Sequence, residues 1–301
     1  AVYARVVPFA PWLAARVHSC GAALVAEVNG ILEDELSAEG CSTARARFYR
    51  YTERLLLEGC DGVVAVTPAI GGRIRELCPR SREIEVILNG VDPERFDVVA
   101  RTEARRTLGL PEGPWVGFVG AFYRSRALDA LVASMPHLRR SVPQARLLLV
   151  GDGPERPAVE AAARAVGPDV VRFLGEVSPE RVPLAVAATD VCVFLCTLPR
   201  AETALKLFEY MAGRRPVVVS WTAGVGEWME REGTGVGVDP ALPSSIAEGI
   251  VRVLGRPDEA GAMGERGRSL VESRYTWREA AGRTAEFLKR LVERRGRNDR
   301  P

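Results

Sequence analysis

The sequence predicts an α/β protein with two parallel-sheet domains, and three observations carry that reading. The chain has 301 residues, enough for two domains at roughly 150 residues each. From Val116 onward, short apolar runs alternate with longer stretches of helical period, the pattern of repeated strand, helix, strand units. The composition, 47% hydrophobic and 27% charged, is that of a globular chain and excludes fibrous and disordered classes.

The elements follow in order. Residues 115–120 form an apolar run closed by Gly120 and predict a buried strand, with a helix over 128–138. Residues 146–150 predict the next strand, and Gly151-Asp152-Gly153-Pro154 turns the chain into a helix over 155–166. A strand over 170–175, a helix over 179–188, a strand over 191–195, a helix over 205–212 and a strand over 216–220 complete a doubly wound domain. Upstream, helical spacing over 10–17 and 44–57 and short apolar runs over 22–28 and 62–67 predict a second α/β domain, too short to be complete. Asn89-Gly90 and Asp92-Pro93 are strong chain breakers and mark the linker. The expected organisation is 1–95, 96–275, and a basic amphipathic tail over 276–301 that crosses back and docks on an existing surface. The chain opens at Ala1 directly into Val2-Tyr3-Ala4-Arg5, which leads us to expect an amino-terminal segment before it.

Charge and cysteine usage narrow the partners. Lys plus Arg number 41 against 39 Asp plus Glu, so no broad field favours nucleic acid. Cys20, Cys41, Cys60, Cys78, Cys192 and Cys196 show no CxxC spacing, and His18 and His137 are the only histidines. Zinc and disulfide frameworks are therefore not expected, and a cytoplasmic, reducing setting is. No run approaches ~18 uncharged apolar residues, which argues against a membrane span. Both histidines, and Trp221, Trp228 and Trp277, are expected in structural roles.

The chemistry concentrates in residues 203–220. On a helix Lys206 and Glu209 are three apart and share a face, where they can simply pair. That helix follows a strand, however, where an open parallel sheet presents its ligand crevice and the first helical amides offer an anion site. A cation and a carboxylate there suit a ligand carrying both phosphate and sugar hydroxyls. Gly151-Asp152-Gly153-Pro154 lacks the third glycine of a dinucleotide fingerprint, so a nicotinamide enzyme is disfavoured.

Lys206-Leu207-Phe208-Glu209-Tyr210-Met211-Ala212 with Gly-Arg-Arg-Pro-Val-Val-Val-Ser resembles the nucleotide-sugar site of retaining, family-four glycosyltransferases of the GT-B fold. Asn89-Gly90-Val91-Asp92 with Phe96, Phe118-Val119-Gly120, Leu149 through Pro154, Val171 through Gly175 and Tyr275-Thr276-Trp277 match in the same order. The resemblance implies two Rossmann-like domains facing across a cleft, a nucleoside diphosphate sugar as co-substrate, and no metal or other cofactor. It gives Glu209 the ribose hydroxyls, because a carboxylate accepts from both hydroxyls of a cis diol. Gly120, Gly151, Gly153, Thr203 and Leu205 would shape the donor pocket. The family's second glutamate falls at Ala201, with Glu202 one residue later as its candidate replacement. An arginine usual after the first glycine is Ala121, whereas Arg126 falls at the family's basic position. Arg126 and Lys206 are thus the candidates for neutralising the departing diphosphate.

In many relatives a histidine stands near the position of Asn29, and an amide cannot trade protons near neutral pH. Glu27, Asn29 and Glu33 are the acceptor-side candidates. The turn through Gly224-Val225-Gly226-Glu227 can approach the sugar closely. The tail residues Arg283, Lys289, Arg290, Arg294 and Arg295 offer a basic face that can touch an anionic membrane holding a lipid-linked acceptor. The expected function is retaining sugar transfer to a hydroxyl acceptor in polysaccharide or glycoconjugate synthesis. A catalytically silent nucleotide-sugar-binding protein, suggested by Ala121, Ala201 and Asn29, and a nucleotide-sugar epimerase are the alternatives.

Overall fold

The computed structural model describes residues 1–5, 12–38, 40–79, 83–97, 99–197 and 205–298. They divide into two compact units. One holds the described residues up to Gly90 together with those from Trp277 onward, and the other holds those from Val91 to Thr276.

The first unit runs β1 (Val2–Arg5), α1 (Leu13–Ser19), β2 (Leu24–Val28), α2 (Leu32–Ala38), α3 (Thr43–Gly59), β3 (Gly62–Ala65), α4 (Pro68–Leu77) and β4 (Ile84–Val86). Its strands form one parallel sheet in the order β1-β2-β3-β4. The central strands β2 and β3 are almost wholly buried, whereas β1 and β4 lie at the edges and are partly open. The opening Val-Tyr-Ala-Arg run, which sequence reading left unassigned, is therefore a strand paired along its length with β2. α4 starts where Thr67 accepts a hydrogen bond from the Ile70 amide at 3.1 Å and Pro68 occupies the first helical position.

The second unit runs α5 (Arg101–Thr107), β5 (Trp115–Val119), α6 (Leu128–Ser141), β6 (Arg146–Val150), α7 (Arg156–Val166), β7 (Val171–Gly175), α8 (Val182–Ala187), β8 (Val191–Phe194), α9 (Leu205–Ala212), β9 (Val217–Ser220), α10 (Val225–Arg231), β10 (Gly235–Val238), α11 (Pro243–Leu254) and α12 (Pro257–Arg274). All its strand pairs are parallel, in the order β10-β9-β8-β5-β6-β7. Strands covered on both faces read as continuous apolar runs, which is why they were visible in the sequence. Leu131, Met135 and Leu138 of α6 and Ile246, Ile250 and Val253 of α11 pack with Val116, Phe118, Leu149 and Val193 of the sheet.

The final helix, α13 (Trp277–Asn298), belongs to the first unit. Its Phe287 and Leu291 close a core with Val25, Val64 and Ile87, and Phe287 is fully buried. Its basic side chains are engaged with that unit. Arg283 and Arg290 reach Glu85 at 3.3 and 3.1 Å, Arg294 reaches Glu83 at 2.8 Å, and Arg295 reaches Asp61 at 3.3 Å. Four of the five residues expected to form a basic face are thus paired with carboxylates. Of the core and packing roles expected for the tryptophans, Trp221 and Trp277, 42% and 50% exposed, do not take the core one. Trp228 does pack, edge-on against both Phe208 and Tyr275.

Candidate functional site

In the second unit the chain winds outward from β5 through β6 to β7, and in the opposite direction from β8 through β9 to β10. The direction reverses between β5 and β8, and ligands of open α/β sheets bind outside the carboxyl ends of the strands at such a point. Here the two middle strands share only the register pairs Val116↔Val191 and Gly117↔Cys192. Beyond them β5 and β8 run on without pairing each other.

The loops from these strand ends are fixed by main-chain bonds. The Gly120 amide donates to Val150 O at 2.9 Å, the Phe122 amide to Asp152 O at 2.8 Å, and the Thr197 amide to Ser125 O at 2.9 Å. Two glycines make the first two of these packings possible. Gly151 has φ +129°, and a Cβ there would stand 1.9 Å from Gly120 O. At Gly153, φ +158°, a Cβ would meet the Phe122 main chain at 2.7 Å. Both positions therefore need close backbone approach rather than mere flexibility. Gly120 itself abuts the Phe118 ring.

α9 follows β8. Leu207, Phe208, Tyr210 and Met211 face inward, while Lys206 and Glu209 remain partly open. The Lys206 Nζ lies 2.8 Å from Glu209 Oε2, so the pair predicted from spacing is formed. The helix ends with Arg214 at φ +55° and the Arg215 amide donating to Tyr210 O at 3.0 Å. Buried Arg268 of α12 then donates to Ala212 O at 2.9 Å and holds that end in place. Arg126 ends a short 3-10 turn after β5, with its guanidinium 4.8 Å from the centre of the Phe194 ring at the end of β8. The Tyr210 hydroxyl, on the residue after Glu209, is hydrogen-bonded to the Val119 main chain at the end of β5. Gly120, Arg126, Lys206 and Glu209 thus gather at one end of the sheet, with Leu205 opening α9 beside them. Glu202 and Thr203, like Ala201, lie outside the described residues.

Gly224 to Glu227 is not the open turn expected: Gly224 closes a 3-10 turn at φ +75°, and Gly226 and Glu227 lie inside α10. The neighbouring loops also carry polar ties that no sequence pattern signals. Ser220 Oγ accepts from the Cys196 amide at 3.0 Å, and Thr222 Oγ1 donates to Cys196 O at 2.7 Å.

The acceptor-side candidates belong to the first unit. Asn29 Nδ2 donates to Glu27 Oε1 at 2.6 Å, and the Tyr3 hydroxyl donates to the other oxygen of Glu27 at 2.5 Å. Glu33 stands apart from them on α2, 3.3 Å from Arg50 and 3.6 Å from Arg73. The structure joins Glu27 with Asn29 and gives Glu33 to a different, ionic cluster. Among the described residues no group of His, Cys, Asp or Glu is arranged to hold a metal ion.

Two family models match the chain in order: Glycosyltransferase Family 4 over residues 5–95 and Glycosyl transferases group 1 over residues 113–256. A GDP-mannose-dependent alpha-(1-6)-phosphatidylinositol monomannoside mannosyltransferase of Mycobacterium tuberculosis is 30% identical over 78% of this chain and 63% of its own length. The chain thus spans about three fifths of the curated relatives it matches first. Among solved structures, sucrose-phosphate synthase from Thermosynechococcus elongatus superposes with a TM-score of 0.80 at 24% identity, covering 97% of this chain and 73% of the other. Anabaena HepE, crystallised with UDP and glucose, gives 0.81 at 21% identity over 95% of this chain and 77% of its own. The ordered sequence motifs, two parallel α/β units and both family matches agree, and the chain belongs to the family-four, group 1 glycosyltransferases of the GT-B fold.

Proposed function

We propose that the chain transfers a sugar from a nucleoside diphosphate sugar to a hydroxyl acceptor with retention of anomeric configuration, in polysaccharide or glycoconjugate synthesis. The observation that carries this reading is the Lys206–Glu209 pair on the helix behind β8, beside the point where the sheet reverses direction. A bound nucleotide exchanges that ion pair for two contacts of its own. Glu209 accepts from the ribose diol, and Lys206 turns to the diphosphate. Breaking a partly exposed pair costs only about 0–1 kcal/mol, less than the charge-assisted hydrogen bonds that replace it contribute. Arg126 adds positive charge where the leaving diphosphate gains negative charge.

Retention fits a one-face reaction in which the departing phosphate takes the acceptor proton. Asn29 has no titratable proton to trade, and both oxygens of Glu27 are already engaged by Tyr3 and Asn29. The mannosyltransferase relative acts, by its name, on a phosphatidylinositol mannoside, which supports a lipid-linked or glycan acceptor here.

Incubation with UDP-glucose, GDP-mannose and ADP-glucose, with and without glycan and glycolipid acceptors, tests the reading. Nucleotide release is followed by phosphorus NMR and product configuration by proton NMR. The expected result is acceptor-dependent release from one donor, with the donor's anomeric configuration kept. An inverted product overturns retention, acceptor-independent change of the donor sugar indicates the epimerase, and binding without release indicates the silent binder.

A further inference from the structure

Tyr210 occupies the gap that the split between β5 and β8 leaves. Its hydroxyl accepts from the Val119 amide at 2.9 Å and donates to the Val119 carbonyl at 3.2 Å. One phenol thereby serves both main-chain groups of the last residue of β5, as a neighbouring strand would have done had the pairing with β8 continued past Gly117. The ring is completely buried, and a buried strand end without partners is costly. Burial, with Cys192 and Glu209 nearby, pushes the Tyr210 hydroxyl well above the usual phenol range, so it stays protonated and keeps its donor role.

The bond joins two pieces of the site. Val119 leads directly into Gly120 and the loop that carries Arg126, and Tyr210 is the immediate neighbour of Glu209 on α9. Along the chain these pieces are far apart, and β8 does not link them through a continuous hydrogen-bonded ladder. A substrate whose ribose lies on Glu209 and whose diphosphate lies toward Arg126 and Lys206 needs both at a fixed separation. Small displacements of such groups are expensive when two ends of one ligand must be met together.

We propose that Tyr210 is a positioning residue, holding the Gly120–Arg126 loop and the Glu209 helix in register so that one nucleoside diphosphate spans both. This rests on the donor-site reading given above. The phenol touches no substrate and acts through Val119 on one side and Glu209 on the other.

Tyr210→Phe keeps the ring and removes both hydrogen bonds. The experiment compares the wild-type chain with this variant, after circular dichroism and thermal melts have established the folded fraction. UDP, GDP and ADP are titrated calorimetrically, and uridine, guanosine and adenosine by ligand-detected NMR. The nucleoside engages only the helix side, so its affinity should change by less than about twofold. The diphosphate, which spans both sides, should bind about tenfold or more weakly, the scale for unsatisfying a buried hydrogen-bonding group. Equal loss for nucleoside and diphosphate, or loss for neither, overturns the proposal. A wild-type chain that binds no nucleotide sinks the donor-site reading itself, a separate and distinguishable failure. Should Tyr210→Phe not fold, amide hydrogen exchange in the wild-type chain decides. The Val119 amide should be protected as strongly as those inside β5, and exchange at the rate of an open loop would contradict the bond on which the proposal stands.

Discussion

Glu209 and Glu53 are both carboxylates on helices, yet their surroundings differ in burial and in partners. Glu209, in the second unit, keeps 17% of its side chain exposed and faces one cation at 2.8 Å. Glu53, in the first, is 3% exposed, and its Oε2 has no hydrogen-bond partner among the described residues. Burial pushes its carboxyl up to about 7; the Leu32 amide at the start of α2 works against that shift, and Glu35, Asp34 and Glu33 reinforce it. The contrast teaches that a carboxylate available to a ligand is one whose present partner is exchangeable. A carboxylate sealed into a core is committed to the fold and sensitive to pH.

The largest expected effect lies in the core of the first unit. Phe287→Ala removes the fully buried anchor of α13 and should cost about 3–5 kcal/mol of stability, read by denaturant unfolding. Nucleotide affinity per folded molecule should be unchanged, since Arg126, Lys206 and Glu209 belong to the second unit; a parallel loss of affinity would show that the two regions are not separable.

Next in size is the pH response of Glu53. A carboxyl raised in the folded state above its ordinary value near 4.5 favours folding below that value. Its contribution is lost as pH rises from about 4.5 through about 7. Glu53→Gln should therefore match the wild type near pH 4 and exceed it above pH 7 by an amount on the order of 3 kcal/mol. A stability difference that does not vary between those limits would contradict this account of the site.

The strands 115–119, 146–150, 171–175 and 191–194 were legible because each is an apolar run bounded by glycine, proline or polar residues, and the Lys206–Glu209 contact followed from helical spacing alone. β1 was not, because four residues carry too little periodicity and its identity as a strand comes only from pairing with β2. Tyr210 stood in full view within an apolar helix face. A phenol there must find a hydrogen-bond partner, but that the partner is both groups of Val119 depends on where β5 and β8 part, a tertiary fact. The tail's basic residues looked free because their carboxylates, Asp61, Glu83 and Glu85, are distant in the chain. Trp221 and Trp277 are 42% and 50% exposed, which side-chain size alone does not foretell.

The smallest expected effect lies at the surface. Arg290 pairs with Glu85 at 3.1 Å with both side chains substantially exposed. Arg290→Ala should shift stability by no more than about 1 kcal/mol, and by less at high salt. A larger loss in denaturant unfolding would mean that α13 is held by its charges as much as by Phe287.

Whether Glu209 holds the ribose of the donor is read by calorimetric titration of UDP, GDP and ADP into the wild-type chain and Glu209→Ala. One nucleotide should bind the wild type and lose about 1–3 kcal/mol in the folded variant, the range for a lost charge-assisted hydrogen bond. Equal affinity for wild type and variant would contradict the claim.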